Sequence, residues 1–420
     1  MSQVIANRRL ITLAASLGWF FDAYVITIYV LSVPLIATEF DIPSIVLSGT
    51  VGSIFLVGYT IGTIGFGVCA DIFGRRIMLG VSIVAYAVIT ALTSLTTGLN
   101  GLAICRFFTG IGGGGELSIG SPYVTEVWTK ERRGMGIGLM YAFYPAGYLF
   151  SELMFFLLTP FWGWRAVYVF ALAPALLILA LRLRLEESPR FVGLLAQLER
   201  EVGRRVGLGT ALRTPRYRRL MSSGVLIFVS LTYSYYALAF YIAPYMIEHY
   251  HLMATRGVIV VLALLASSSL VGGLAGGVIG DALGRRKPAM VMSILIIVCT
   301  SAWWEGAWPL PMFCLLMMLT GLLAGALWSL SIVYVNELFP TEIRASGFGW
   351  SSGLGRIVSI CAPIVTQTLA GAIGVAHAIA VSAFIWIPLL IGYLISHETV
   401  GTEIGDRVLL PGAVFKVAPE

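Results

Sequence analysis

Five ionisable side chains stand inside long apolar stretches of this 420-residue sequence. They are Asp22, Arg106, Glu116, Glu152 and Arg356. A charged residue at the centre of an apolar membrane helix costs about 2.5–3.5 kcal/mol on insertion scales, so each of the five needs a compensating role. Two roles suit their chemistry: a carboxyl group can take up and release a proton, and a guanidinium can bind an anion.

Arg356 and Asp22 both fall near the middle of their apolar stretches, which places them at similar depth. A guanidinium offers five donors in a planar fork that matches a carboxylate. Arg356 therefore either binds an anionic substrate or pairs with an internal acid, and the sequence alone leaves both interpretations open. Asp22 is the first candidate proton site.

Glu116 is the second candidate proton site. It follows four glycines at 112–115, which thin the helix surface beside it. It lies ten residues after Arg106, about 15 Å along a helix, so the two side chains do not pair directly. Burial without a counter-ion favours the neutral carboxyl form, and Glu116 would then exchange a proton.

Arg106 and Glu152 leave two interpretations. Arg106 is either a gate residue that touches the substrate or a structural partner of Glu152. The pair is the simpler hypothesis, because it compensates both charges at once.

Composition determines which elements carry these residues. The chain is 58% hydrophobic and only 11% charged, whereas soluble domains carry roughly 25% charged residues. Most of it must therefore face lipid or other helices. Its five cysteines contain no CxxC pair and fall in or beside apolar runs, so neither a metal site nor a cofactor is predicted.

Apolar runs of about 20 residues, the length that crosses a bilayer as a helix, occur twelve times. We expect each run to be a helix, because backbone groups cannot stay unpaired in hydrocarbon. In chain order, spans 1 to 12 cover residues 10–36, 46–70, 77–96, 101–125, 135–158, 164–183, 219–247, 257–280, 288–304, 309–335, 345–370 and 375–396.

Basic residues in the loops predict the orientation of these spans. Of the 27 Lys and Arg residues, 23 fall on the side of the N-terminus. In loops on the other side there are only Arg165 and Arg256. Because basic loops stay in the cytoplasm, both termini are predicted to be cytoplasmic, in a multi-pass protein of the inner or plasma membrane.

The two halves of the chain repeat one another. The segment GVCADIFGRR at 67–76 recurs as GVIGDALGRR at 277–286, an offset of 210. A second block, which runs from Tyr123 to Gly138 and contains Glu126 and Arg133, recurs from Tyr334 to Gly349 at an offset of 211. Parallel repeats of this kind place a substrate site between the halves, near the bilayer midplane.

These repeated motifs resemble the signatures of the major facilitator superfamily. The two GRR loops, the E-x6-R pattern after spans 4 and 10, and ESPR at 187–190 all match. The resemblance implies an all-α integral membrane protein with twelve transmembrane helices in two pseudo-symmetric six-helix bundles. It also implies transport by alternating access, in which the halves rock against each other.

This organisation divides the chain into four segments. Residues 1–185 form the N-terminal bundle, 186–218 a cytoplasmic linker with an amphipathic helix, 219–400 the C-terminal bundle and 401–420 a cytoplasmic tail.

The charged residues of the repeated loops have two possible roles. They are either a static signal that sets topology or a latch that closes the cytoplasmic face; we favour the latch. Its predicted members are Asp71, Arg75, Glu126, Arg133, Asp281, Arg285, Glu337 and Arg344.

A narrower resemblance is to metabolite:proton symporters of the nicotinate, aromatic-acid and organic-ion type. RFFTGIGGGGE at 106–116 and FFDAY at 20–24 match their patterns, but Val25 replaces a second acid. A span-five motif of drug exporters is missing. The resemblance implies that the substrate cavity is lined by Arg356, Arg106, Tyr144, Tyr148, Tyr236 and Trp328.

The favoured function is therefore proton-coupled transport of a small organic anion by a monomer in the lipid bilayer. An uncoupled sugar-like uniporter or a metabolite or drug exporter keeps the same fold, and a proton-flux assay separates them. A membrane sensor is a third alternative, which would need a signalling domain. No nucleophile–base set or phosphate loop indicates an enzyme, and no nucleic-acid partner is predicted.

Overall fold

The computed structural model describes residues 2–43, 47–200, 205–250, 256–302 and 308–402, with Gly405 and Val408. Helices make up nearly all of these residues, and no strand occurs among them. The predicted all-helical class is confirmed. Most of the predicted tail at 401–420 lies outside the described residues.

In the first half, the helices follow spans 1 to 6. Span 5 runs directly into span 6, and the chain turns at Gly163, whose φ of 69° favours glycine. A π-helical turn, Leu47–Val51, leads into span 2. The α-helices are Ser2–Phe40, Gly52–Phe73, Arg75–Leu92, Leu99–Val127, Arg133–Phe170 and Leu172–Arg182.

In the second half, spans 11 and 12 are divided. Span 11 breaks at Ile360 and Cys361, and span 12 contains the 3₁₀ segment Ser382–Trp386. The α-helices are Pro215–Tyr250, Arg256–Leu283, Arg286–Ser301, Leu310–Leu338, Arg344–Ser359, Ala362–Ile373, Val375–Val381 and Ile387–Ile395.

By length and hydropathy alone, eight helical stretches of the described chain can cross a membrane. One of them, Arg133–Arg182, contains two predicted spans. The others that fall short do so for local reasons. Span 4 is diluted by glycines and charges, span 9 forms a helix of only 16 residues, and span 11 is interrupted. Within the described residues, each of the twelve predicted spans nevertheless falls on helix, apart from the breaks in spans 11 and 12.

The segment between the halves packs against the end of the bundles that carries the repeated loops. Helix Pro189–Arg200 is amphipathic and buries three apolar side chains. Beyond it, Arg205 donates to the backbone carbonyl of Asp71 in the first half, and the N–H of Val206 donates to Glu342 in the second. The linker thus touches both halves.

At this same end, the halves meet backbone to backbone. A Cβ atom built on Gly134 in span 5 would lie 2.3 Å from the carbonyl oxygen of Gly277 in span 8. One built on Gly67 in span 2 would lie 2.5 Å from the carbonyl oxygen of Ala345 in span 11, where Gly349 is equally close to span 2. We call Gly67, Gly134, Gly277 and Gly349 the glycine seam. Side chains at these positions would force the halves apart.

Two aspartates hold the seam closed. Asp71 accepts hydrogen bonds from the backbone N–H groups of Ala345 and Ser346 at 3.2 and 2.7 Å. Asp281 accepts from those of Gly134 and Met135 at 2.8 and 2.7 Å. Each carboxylate therefore caps the first turn of a helix in the opposite half, where the helix dipole favours negative charge. The pattern is two-fold symmetric, as the repeat requires.

Buried ion pairs lie behind these caps. Glu126 accepts from Arg75 of its own half at 3.0 Å and from Arg344 of the other half at 2.8 Å. The matching cluster consists of Glu337 with Arg285 at 3.2 Å and Arg133 at 3.7 Å. All eight predicted latch residues thus lie in two clusters, each of which joins the two halves.

Sequence analysis missed one further acid of the latch region. Glu398 accepts hydrogen bonds from the backbone N–H groups of Arg285 and Arg286 at 2.8 and 3.0 Å. Partial burial raises the pKa of Glu398, but its backbone donors outweigh this and hold the pKa below its usual value. The internal repeat could have pointed to Glu398, because Glu187 of the ESPR motif lies 211 residues earlier. In the structure, Glu187 makes the same contacts with Arg75 and Arg76 in the first half.

Changing Asp71→Asn should favour the conformation in which this end is open. Asparagine can accept only one of the two backbone hydrogen bonds and carries no charge. Hydrogen bonds to charged groups contribute about 1.5–3 kcal/mol, so the ratio of the two conformations should shift by about tenfold or more. Transport should fall while substrate affinity changes little. The shift can be measured by maleimide labelling of an Ile64→Cys reporter, because Ile64 packs against Gly353 across the interface.

Asp281→Asn is the symmetric counterpart and should produce a shift of similar size. Glu39→Gln, which changes an acid at the opposite end of span 1, should leave the labelling rate unchanged. Unaltered labelling in both aspartate variants would show that the caps do not control closure.

Candidate substrate cavity and proton site

A cavity of about 270 Å³ lies between the two halves. Trp19, Tyr141 and Trp328 line it toward the latch end, and Val30 and Leu262 line it toward the opposite end. The seam and the latch close one end, so the described cavity lies on the far side of that closure. This is where parallel repeats are expected to place a substrate site.

Aromatic side chains make up much of the wall. Trp19 and Tyr144 have ring centroids 4.9 Å apart, and Tyr144 and Tyr148 are 5.3 Å apart. The nine aromatic residues on the described wall are Trp19, Tyr59, Tyr141, Tyr144, Tyr148, Tyr235, Tyr236, Trp328 and Trp386. They include the four predicted aromatic residues, and their flat faces suit a planar, apolar ligand body.

Arg356 is the cation of the cavity wall. Its Nη1 donates to the Tyr236 hydroxyl at 3.2 Å, and its guanidinium carbon lies 4.1 Å from the ring centroid of Tyr59. Its Nε is buried without a hydrogen-bond partner, and no acid among the described residues lies within ion-pair distance of it. Arg356 thus forms no direct ion pair among the described residues, although the charge of Asp22 acts on it at longer range, and its Nε remains available to an anion.

Asp22 is fully buried directly behind this arginine. Its Oδ2 accepts from the Tyr59 hydroxyl at 2.8 Å, and its Oδ1 accepts from the Tyr86 hydroxyl at 2.9 Å. Gly113 of span 4 packs against the carboxylate, because a Cβ there would lie 2.9 Å from Oδ1. Tyr59 therefore touches both charges: its hydroxyl contacts Asp22, and its ring contacts Arg356.

Glu116 has a different environment from the one we expected. It forms a buried ion pair with Arg182, whose Nη1 donates at 3.0 Å, and it also accepts from Ser82 at 2.7 Å. It is absent from the described cavity wall. Arg182 is one of the 23 basic residues that the sequence assigns to the side of the N-terminus, but its side chain points into the first bundle and is almost completely buried.

Arg106 also differs from the expectation. Its guanidinium packs between the rings of Tyr29 and Tyr168, with centroid distances of 4.3 and 5.3 Å. It does not line the described cavity, and the predicted pair with Glu152 is not formed among the described contacts, since Glu152 lies on the cavity wall. The two residues sit on helix faces that point in different directions. The structure therefore does not place Arg106 in contact with the described cavity, contrary to the prediction. Its side chain lies inside the first bundle instead.

Tyr59 and Tyr86 are site residues that sequence reasoning missed. Each lies in a different span from Asp22, at separations of 37 and 64 residues. Tyrosines in apolar spans are common and usually pack without a special role, so only the packing of spans 1, 2 and 3 reveals these contacts.

Comparison with known proteins identifies the architecture. A niacin transporter of Acinetobacter baylyi (strain ATCC 33305 / BD413 / ADP1) is 26% identical over 390 residues, 83% of this chain and 84% of the relative. A benzoate transport protein of the same organism is 24% identical over 380 residues, with 83% and 80% covered.

Among solved structures, the proton:xylose symporter XylE superposes with a TM-score of 0.78 over 95% of this chain and 98% of that one. At 18% identity this is a likeness of fold alone. The sequence model of the Major Facilitator Superfamily matches residues 15–304 and 257–407, well over half of the chain. With its two repeated halves, its paired latch clusters and this match, the chain belongs to the major facilitator superfamily.

Proposed function

We propose that this protein carries a small organic carboxylate across the cell membrane together with protons, by alternating access. Its family makes it a multi-pass membrane transporter and not an enzyme; the substrate class and the coupling ion are the proposal. The observation that carries it is the contact chain from Arg356 through Tyr59 to Asp22. Similarity to transporters named for niacin and benzoate supports a carboxylate substrate.

Arg356 would bind the carboxylate of the substrate. Its buried Nε has no hydrogen-bond partner. With Nη2, which lies on the same side of the guanidinium, it can make a two-point contact with an anion while Nη1 keeps its bond to the Tyr236 hydroxyl. The surrounding rings would pack on the flat faces of an aromatic or other planar body. One chain builds the whole site, so a monomer is sufficient for transport.

Proton coupling would follow from the position of Asp22. When Asp22 is ionised, its negative charge lies one tyrosine away from Arg356 and reduces the attraction of that arginine for an anion. Protonation removes this competition, so substrate affinity rises. By thermodynamic linkage, the bound substrate favours protonation to the same extent. Proton and anion would therefore load and leave together.

The latch gives the direction of opening. The basic-residue asymmetry of the loops supports a cytoplasmic position for the latch, the linker and both termini. The cavity described above is then closed toward the cytoplasm and faces outward. Inward release would require the Asp71 and Asp281 caps to separate as the halves rock.

Changing Arg356→Lys should weaken substrate binding although the positive charge is kept. Lysine lacks the planar fork that makes two parallel hydrogen bonds to a carboxylate. We expect a loss of about 1.5–3 kcal/mol, the range for hydrogen bonds to charged groups. Equilibrium binding of nicotinate and benzoate to the purified protein measures this. Unchanged affinity for both would remove Arg356 from the substrate site.

Changing Asp22→Asn should uncouple transport without preventing binding. Asparagine imitates the protonated carboxyl and cannot release a proton, so accumulation driven by a pH gradient should be lost. Exchange of labelled for unlabelled substrate should survive, because the loaded carrier need not deprotonate. Both can be measured in proteoliposomes.

Glu116→Gln is the control for Asp22→Asn. It leaves Arg182 buried without its counter-ion, which costs about 3–5 kcal/mol, so it should lower thermal stability. The protein that folds should still accumulate substrate. If accumulation is lost and exchange kept in Glu116→Gln but not in Asp22→Asn, Glu116 is the proton carrier.

Changing Tyr59→Phe tests the link between the two charges. Phenylalanine keeps the ring beneath Arg356 and removes the hydroxyl on Asp22. Asp22 still titrates in this variant, so substrate affinity should keep its dependence on pH, but the midpoint of that dependence should shift, because a donor to the ionised carboxylate is lost. Affinity at low pH should stay close to that of the wild type. Tyr86→Phe removes the other hydroxyl on Asp22 and should shift the midpoint in the same direction. An unchanged midpoint in both variants would show that Asp22 does not set the pH dependence of binding.

A further inference from the structure

Glu152 has no part in the mechanism above, yet it is one of two charged residues on the described cavity wall; the other is Arg356. Its side chain is half-buried, and no charged partner acts on it among the described residues. A half-buried acid that faces a cavity needs a reason, because charge in a membrane span is costly.

The position of Glu152 follows from its helix. Tyr141, Tyr144, Tyr148 and Glu152 are separated by three or four residues, which places them along one face of span 5. All four line the cavity. The acid therefore extends the aromatic wall toward the end that is remote from the latch.

The repeat gives the depth of the two charges. The helices of spans 5 and 11 begin at the equivalent residues Arg133 and Arg344 in the latch. Glu152 is 19 residues and Arg356 is 12 residues beyond these starts, so Glu152 lies about 10 Å farther from the latch along the helix axis. A benzene ring with substituents at both ends has a similar length.

We propose that Glu152 is a specificity-determining residue that contacts the end of the substrate opposite to the carboxylate held by Arg356. It selects monoanions whose far end is neutral, donates hydrogen bonds or is positively charged, and it excludes dianions. This assignment rests on the proposed binding of a carboxylate by Arg356.

Electrostatics determines which ligand groups Glu152 favours and which it excludes. A second carboxylate on the substrate would approach Glu152 in a cavity that is lined mainly by apolar groups, where like charges repel strongly. An ammonium or amino group at the same position would instead gain a charge-assisted contact. Selectivity of this kind depends on an unfavourable interaction with the wrong ligand as much as on a favourable one with the right ligand.

Glu39 shows what a structural acid looks like in the same bundle. It lies at the same end of span 1, accepts from the indole N–H of Trp164 at 2.6 Å and forms an ion pair with Arg165. It does not line the described cavity. Glu152 has no such partners and faces the cavity, which fits a ligand contact.

The test is competition for radiolabelled benzoate on the full-length protein in lipid nanodiscs. The competitors are terephthalate, which carries a second carboxylate, and para-(aminomethyl)benzoate, which carries an ammonium group. In the wild type, terephthalate should bind about tenfold more weakly than benzoate and the ammonium compound about tenfold more tightly. In Glu152→Gln the three affinities should converge, while benzoate itself changes little.

Glu39→Gln is the control, because it removes an acid from the same end without touching the cavity, and it should discriminate as the wild type does. If Glu152→Gln keeps the wild-type order of affinities, Glu152 does not select the substituent at the far end of the ligand. Arg356 can still bind the carboxylate in that case. If none of the three compounds binds to the wild type, the proposed substrate class fails, and this assignment fails with it.

Discussion

A charge that is buried between membrane helices must be compensated, and the way each charge is compensated separates scaffold from site in this protein. Glu116 and Arg182 neutralise each other in a closed pair, and the latch acids are satisfied by arginines and backbone N–H groups. Asp22 receives only hydroxyl groups, and Arg356 receives a hydroxyl and a ring face. Arg106 also lacks an acid partner among the described residues, and its Nε and Nη2 are buried without hydrogen bonds. What distinguishes Arg356 and Asp22 is that Arg356 lies on the described cavity wall and Asp22 is joined to it through Tyr59.

The latch residues are repeated in both halves of the chain, whereas the site residues are not. The latch clusters and the capping acids occur twice, because both halves must be held at the same interface. The site residues do not repeat: offsets of 210 and 211 take Asp22 to Thr232 and Tyr233 in the second half, and an offset of 211 takes Arg356 to Pro145 in the first half. Asp22, the proposed proton site, thus lies in the first half, and Arg356, the proposed anion site, lies in the second. In the proposed mechanism, motion of the halves changes the environment of both at once.

The spans, the repeat and the latch motifs were predictable because they depend on apolar length, loop charge and local spacing. The orientation of single side chains was not. Arg182 looked like a loop cation, because composition at the end of a span does not show whether the side chain points inward or to solvent. Arg106 and Glu152 looked like partners because their spans are neighbours, but the rotational phase of each helix is decided by packing. The contact of Tyr59 with two charges needs three helices to meet.

The glycine seam has a consequence for the entropic cost of closing this end of the protein. Surfaces that close through long side chains must freeze many rotamers on each closure, and each one opposes closing with lost entropy. Here the backbones of spans 5 and 8, and of spans 2 and 11, meet at residues that have no rotamers to lose. At the seam itself, closure therefore loses little side-chain entropy. The entropic cost falls instead on the side chains that cross the halves, such as Arg344 with Glu126 and Arg133 with Glu337.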